Sequence, residues 1–337
     1  MKKLLLATTA LTLSAGVAAA DVALSGDARM GLIYDGDDIM MTSRARVTFT
    51  LSGETDSGLA FGASFRADQA QGPATGNENM TGGSVFISGD FGRLAMGDVT
   101  GAARAAVGDL HGVGLTGLGD LNEMQYIDRL TQGADRISVF DRRTAALYSY
   151  SIDAFTIYAG VGQLNSLRGP GSFDLGDTSD AVLAAGDKYT EQQASIGASY
   201  SMQGFTGAIG YEMFRGKLTG EPSFDGNHVI ASLAYTMDGI SVKGIAGRAG
   251  GNLGSDLADN PDTRRTQYGL SVSGTFDATT VSAFANRSFF ATSYGVGASY
   301  DLGGGASIVG GVVRQGANEF AGTDRTTVAD FGLSFSF

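Results

Sequence analysis

The sequence predicts an all-β chain, folded as a sixteen-stranded antiparallel barrel that crosses a membrane. Three observations predict it. Apolar and polar residues alternate with period two along most of the chain, which gives each segment one apolar and one polar face. Glycine supplies 52 of 337 residues and proline only 4, and 43% of residues are hydrophobic, so alternation rather than long apolar runs must organise the apolar residues. Short turns also alternate with longer polar connections, which places the short turns together at one end of a barrel.

The first stretch, MKKLLLATTALTLSAGVAAA, has two lysines, an apolar run from Leu4 to about Val17 and small residues from Ala18 to Ala20. It reads as a secretory signal peptide. Cleavage after Ala20 leaves 337 − 20 = 317 residues, 21–337, as one barrel domain. That length can bury a core without covalent staples, and the chain has no cysteine. Loss of Lys2 and Lys3 takes the formal charge from −12 to −14, which excludes a general affinity for nucleic acid or anionic lipid headgroups. Beyond the signal there is no run of about 18 apolar residues for a transmembrane helix. A span must then be a closed barrel.

The strands follow in order. In RARVTFTLS, Arg44, Arg46, Thr48 and Thr50 share one face and Ala45, Val47, Phe49 and Leu51 the other. In LAFGASFRAD, Leu59, Phe61, Ala63 and Phe65 oppose Gly62, Ser64, Arg66 and Asp68. FTGAIGYEM, VIASLAYTM, YGLSVSGTF and YGVGASYDL repeat the design. Turn chemistry punctuates them at 52–58, 88–92, 150–155, 201–205, 236–240, 275–280 and 300–307. Between these turns lie eight longer polar connections, near 35–42, 69–82, 99–142, 164–190, 215–226, 249–264, 287–292 and 315–326. Seven turns and eight connections join sixteen strands.

In a barrel of this size the polar face lines water and the apolar face meets lipid. Tyr200, Tyr211, Tyr235, Tyr268, Tyr294 and Tyr300 fall on the apolar face near strand ends, where an interfacial girdle needs an aromatic body with a polar tip. The chain closes on VADFGLSFSF, whose Phe331, Leu333, Phe335 and Phe337 alternate with small residues. Chain ends usually fray; this one is expected to pair with the first strand, DVALSGDARMGLIYD, with Phe337 at the periplasmic rim. It resembles the terminal aromatic signature by which outer-membrane proteins reach their insertion machinery.

Longer stretches resemble a known family, the alphaproteobacterial general diffusion porins of the Rhodobacter type. They are DVALSGDARMGLIYDGDD, SRARVTFTLSGETDSGLAFGASFRA, VFISGDFGRLAMGD at 85–98 and YGVGASYDLGGGASIVGGV at 294–312. Together they cover roughly a third of the mature chain. The resemblance implies a homotrimer of such barrels in the outer membrane of a Gram-negative bacterium, in contact with its lipid and lipopolysaccharide. It also implies a third external loop, here 99–142, folded inward to narrow the pore. That loop carries Asp109, Asp120, Glu123, Asp128 and Asp135. Opposite them the resemblance sets a basic lumen face of Arg29, Arg44, Arg46, Arg66 and Arg93, a transverse field that selects polar solutes. Arg104, Arg129, Arg136, Arg142 and Arg143 make the loop more balanced than a purely acidic one, so the expected cation preference is mild. Relatives can bind calcium through loop carboxylates, but GLGDLNE lacks the ligand spacing of a dedicated calcium loop. No other cofactor is expected.

The implied function is passive passage of ions and small hydrophilic solutes. A solute-selective pore shares these features, but most phenylalanines fall on the lipid face rather than forming a lumenal track. A barrel enzyme would need a nucleophile and base at a rim, and no G-x-S-x-G elbow is present. A plugged structural barrel suits fewer strands. GDFGR and GVGASYDLGGGAS lack the ending of a phosphate loop. His111 and His228 stand far apart without cysteine, which argues against zinc; His111 is a candidate for a pore-facing group that titrates near neutral pH.

Overall fold

A computed structural model describes residues 21–67, 83–127, 145–168, 171–174, 180–183, 188–218, 220, 222–253, 259, 264–318 and 322–337. The expected signal peptide, 1–20, and Asp128, Asp135, Arg129, Arg136, Arg142 and Arg143 lie outside the described residues.

Alternating residues favour extended backbone, and the strands run in chain order. The first half holds β1 (Asp21–Tyr34), β2 (Ile39–Glu54), β3 (Ala60–Arg66), β4 (Ser84–Gly89), β5 (Gly92–Gly97), β6 (Ala145–Ile152) and β7 (Phe155–Arg168). Two short strands follow, β8 (Gly171–Asp174) and β9 (Asp180–Leu183). The second half holds β10 (Lys188–Met202), β11 (Phe205–Leu218), β12 (Phe224–Met237), β13 (Ile240–Gly250), β14 (Thr266–Phe276), β15 (Thr279–Arg287), β16 (Thr292–Gly303), β17 (Ala306–Gln315) and β18 (Thr326–Ser336). β1–β7 and β10–β18 form one closed antiparallel barrel of sixteen strands, while β8 and β9 pair only with each other.

The seven tight turns fall where the turn residues put them. Gln203–Gly204 and Asp238–Gly239 take the left-handed backbone a two-residue hairpin needs, with φ of 51° and 81° in the first and 50° and 81° in the second. Two of the longer connections differ from expectation. The one expected over 35–42 occupies only 35–38, because Asp35 Oδ1 accepts the N–H groups of Asp37 and Asp38, both at 2.9 Å, and closes the turn locally. The one expected over 164–190 is largely strand: β7 and β10 stay paired as far as Arg168 and Lys188, and the β8–β9 hairpin fills the space between. A backbone ladder can continue where the side-chain alternation has stopped.

The seam joins β1 to β18 in register from Asp27 opposite Ser336 to Tyr34 opposite Ala329. Beyond the ladder, Phe337 N–H donates to Gly26 O at 2.9 Å and Gly26 N–H to Phe337 O at 3.2 Å. The last residue is thus held by its backbone while its ring stays exposed.

Faces alternate as expected. Leu24, Ile196, Leu233 and Leu270 point outward, each about 60% exposed, and the six girdle tyrosines are all exposed on the same side. Such a surface is stable only against hydrocarbon. The inward residues between them are mostly polar or small on β1–β3, apart from Ile33 and Met40 near the long-connection end, whereas on β11–β17 several apolar ones are fully buried, including Ile230, Ile245, Phe284 and Val313. Something inside the barrel covers that half.

Candidate pore constriction

The segment between β5 and β6 is what covers it. Its described part, 98–127, packs on Glu212, Ile230, Ser271, Phe284 and Asp330, whose sequence neighbours Tyr211, Val229, Leu270 and Phe331 are outward and exposed. The segment therefore lies in the lumen.

It begins with α1 (Ala102–Val107), a short helix whose alanines let it approach the wall closely. The wall answers with glycine: a Cβ at Gly210 would sit 2.6 Å from Ala103 Cα, and one at Gly311 would sit 2.7 Å from Gly114 N. Lys243 Nζ donates to Val107 O at 2.7 Å, placing a cation at the carbonyl end of the helix. The chain then follows the wall to β18, where Asp330 accepts Leu115 N–H at 2.9 Å, Thr116 N–H at 2.6 Å and the Thr116 hydroxyl at 2.8 Å. A 3-10 turn at Leu118–Asp120 reverses it.

The return limb is fastened by other inward side chains. Asn286 Nδ2 donates to Leu121 O at 2.7 Å. Gln267 clamps the Gln125 backbone, accepting its N–H at 2.9 Å and donating to its carbonyl at 2.7 Å. Glu212 accepts Ile127 N–H at 2.6 Å and lies 2.9 Å from His228 Nδ1, and the other His228 nitrogen lies 2.9 Å from Gln267 Nε2. An amide nitrogen can only donate, so His228 Nε2 accepts and Nδ1 carries the proton toward Glu212. His228 is structural here, buried between Tyr126 and Phe289.

The two limbs are tied to each other: Asn122 Nδ2 to Leu110 O at 2.8 Å, Met124 N–H to Asp109 Oδ1 at 2.9 Å and Tyr126 Oη to Gly108 O at 2.7 Å. Arg104 completes the tie, with Asp109 at 2.8 Å and Glu123 at 2.7 Å. Asp109 and Glu123 thus lie together against a cation of their own loop. Asp120 is exposed at the tip. Burial alone would lower the Arg104 pKa, but Asp109 and Glu123 together raise it above its ordinary value. At Glu123 burial, joined by the neighbouring Asp109 charge, outweighs the attraction of Arg104 and the pKa is raised. His111 is half-buried with Nδ1 2.8 Å from Ser271 Oγ, and burial, then Lys243, lower its pKa. It is neutral at pH 7.

The arginines stand on the wall of β1–β3. Arg29 on β1 lies across from Arg44 on β2, and Asp27 across from Arg46. Arg44 is paired with Asp27 at 2.8 Å. Arg66, at the end of β3, stands across from Thr48, two residues along the same inward face. Arg93 does not join them. It follows the short turn into β5 and lies over the Phe86 ring, 3.5 Å from its centroid, at the rim of the short turns. Sequence reading missed Lys243, Glu212, Gln267, Asn286 and Asp330, because a polar residue that faces water and one that clamps a loop alternate identically along a strand. Among the described residues no three His, Asp or Glu side chains converge to hold a metal.

A closed barrel with an outward apolar belt, a polar lumen and a loop inside it defines an outer-membrane channel. The family described as Gram-negative porin matches residues 7–319, and the chain belongs to it. It is 38% identical over 336 residues to a porin of Rhodobacter capsulatus, covering 94% of this chain and all of that one. A porin of Fuscovulum blasticum is 25% identical over 328 residues with the same coverage. A porin structure refined at 1.8 Å resolution superposes with a TM-score of 0.70 at 36% identity, over 94% of this chain and all of the other. The protein is a porin, a multi-pass outer-membrane channel and not an enzyme.

The raised Glu123 pKa has a measurable sign. On acidification Glu123 takes up its proton earlier than an ordinary glutamate, while Arg104 stays charged. The loop side of the pore loses a negative charge, and the cation-to-anion permeability ratio should fall on acidification, beginning above the ordinary glutamate range. Glu123→Gln should flatten the upper part of that pH profile, read from reversal potentials in a salt gradient. The same sign means that ionisation of Glu123 costs the folded loop stability above its pKa, and protonation relieves it.

Proposed function

We propose that this porin is a general diffusion channel whose solutes pass between the arginine wall of β1–β3 and the free edge of the lumenal loop. One observation carries the reading. The wall side chains that hydrogen-bond the loop are Ser195, Glu212, Ser232, Lys243, Gln267, Ser271, Asn286 and Asp330, all on β10–β18, so the β1–β3 wall is left as the other side of the passage. A gap flanked by guanidiniums on one side and by Asp120 and the Arg104 cluster on the other orders water and favours polar solutes. Inward aromatics such as Phe214 and Phe284 lie beneath the loop rather than along a track, which favours a general pore over a solute-selective one.

The cation preference in this reading is mild. Arg104 and Lys243 offset the loop carboxylates, so the loop side of the narrow zone is nearly balanced, and the acid excess sits in exposed turns such as Asp153, Asp238 and Asp277. The working unit in this reading is a homotrimer. β3, β4 and β5 have 7, 6 and 6 residues, fewer than the 9–11 that span a bilayer, so that sector suits contact with another barrel. Single insertions into a planar bilayer in potassium chloride test all of this. Ohmic steps grouped in threes, with a small reversal potential of cation sign, are expected; folded protein that leaves the membrane silent would overturn the general-pore reading.

A further inference from the structure

The clamp on the return limb of the loop is matched to one protonation state of one ring. Glu212 on β11 and His228 on β12 are direct cross-strand partners, and Gln267 on β14 reaches the ring from its other nitrogen. All three side chains are buried, each 1% exposed. The Gln125 backbone fixes which way round the Gln267 amide lies. Oε1 accepts Gln125 N–H, so Nε2 donates both to Gln125 O and to His228 Nε2. Only a neutral imidazole with its proton on Nδ1 can accept that last bond.

The ring has no room to turn away. Tyr126 and Phe289 cross it at 77° and 81°, with centroids 6.1 Å and 5.6 Å from its own, and a Cβ at Gly247 would collide with its Nε2. Among the described residues the titratable side chains that face it are Glu212 from β11 and Tyr126 from the loop. β13 presents Gly247 and Ala249, β14 Gln267 and the 287–292 connection Phe289, none of them charged. A second proton on the imidazole sets Nε2–H against the Gln267 NH2, two donors face to face. Turning the Gln267 amide over relieves that contact, because Oε1 then accepts from Nε2–H. The same turn sets NH2 against Gln125 N–H and Oε1 against Gln125 O, so both backbone bonds are lost. Buried polar groups without partners are costly, and the limb gains by leaving the wall. A proton on Glu212 has no such effect, since Oε1 accepts both Ile127 N–H and His228 Nδ1–H and a proton on Oε2 leaves it free to do so.

We propose that His228 is a proton-sensitive latch on the lumenal loop: neutral, it fastens the return limb at Gln125; protonated in acid, it releases that limb from the wall. The release follows from the hydrogen bonds alone. Its effect on current rests on solutes passing beside this loop, as the general-pore reading has them. The tip, held by Asp330, and the Arg104 tie between the limbs do not depend on this proton. The response is therefore local to the wall contact of the return limb.

Amide hydrogen exchange of the intact purified porin in mild detergent reads the latch directly, once rates are corrected for the intrinsic effect of pH. Between about pH 7.5 and about pH 5, which brackets the ordinary histidine range, wild-type protection over 124–127 should fall. The fall should be about tenfold for the loss of two backbone hydrogen bonds, while protection over 114–118 stays constant. His228→Asn, which keeps a donor toward Glu212 and takes up no proton, should be equally protected at both pH values. Gln267→Glu should lose the response too, because a carboxylate there accepts from the protonated ring as well as from Gln125 N–H. Current noise in a planar bilayer should rise over the same span in wild type and stay level in both variants. A response that persists in both variants would overturn the latch and assign the effect to Glu123 or His111, and constant wild-type protection would overturn it outright. Exchange that responds while the current does not would leave the latch standing and refute a passage beside this limb.

Discussion

Asp330→Ala is expected to give a channel with larger and noisier single-channel current than wild type, in a barrel that still folds. Asp330 is buried on β18 and holds the far turn of the lumenal segment through Leu115 N–H, Thr116 N–H and the Thr116 hydroxyl. Hydrogen bonds to a charged acceptor contribute about 1.5–3 kcal/mol each, and the abandoned donors carry a further desolvation penalty. Allowing for partial rehydration, loss of the anchor should cost the loop tip about 3–5 kcal/mol. The barrel ladder does not run through these bonds, so the loss falls on the loop and not on the wall. Asp330→Asn, which keeps one accepting oxygen, should fall between the two. Current traces of Asp330→Ala that match wild type in size and noise would show that the tip does not need this anchor.

The second large effect is electrostatic. Arg44→Gln/Arg46→Gln should raise the cation-to-anion permeability ratio by roughly fivefold, measured as a reversal potential across a tenfold salt gradient. A unit charge about 10 Å from a permeant ion contributes on the order of 0.4 kcal/mol through water, and more in a narrow passage with low-dielectric walls. Two such charges are removed, and Asp27, now paired with Arg44 at 2.8 Å, loses that partner and keeps only the more distant Arg29 on the same wall. All three changes act in one direction. Arg93→Gln, at the rim and stacked on Phe86, should move the same potential far less. Equal shifts from the two variants would place the narrow zone elsewhere in the lumen.

The barrel was legible because period-two alternation and turn chemistry are local properties. Residues such as Asp238–Gly239 announce a hairpin without reference to anything distant. The errors came where structure depends on backbone pairing alone: the β8–β9 hairpin and the upper parts of β7 and β10 continue through residues with no clear alternation. At 35–38 the opposite happened, and a run that looked like a long polar connection was folded tightly by one aspartate side chain. The constriction was half legible. Arg29, Arg44 and Arg46 share a face by periodicity, and their adjacency follows from the β1–β2 hairpin. The pairing of Asp109 and Glu123 with Arg104 depends on how one loop doubles back on itself, and no spacing in the sequence encodes that fold. Nor does anything local separate Asp330, which grips the loop, from an aspartate that merely faces water.

The seam between β1 and β18 has a consequence for how the molecule is made. Every other neighbouring pair of strands around the wall is joined by the chain that runs between them, but here partners such as Asp27 and Ser336 come from opposite ends of the polypeptide. Until the final strand arrives, the wall is a ribbon with two raw margins, each offering unpaired amides and carbonyls to any neighbouring chain. Chains cut short would keep those margins permanently. The ring thus acts as its own proof of completion: only a polypeptide translated through its last strand can hide both margins at once and leave nothing for another copy to extend.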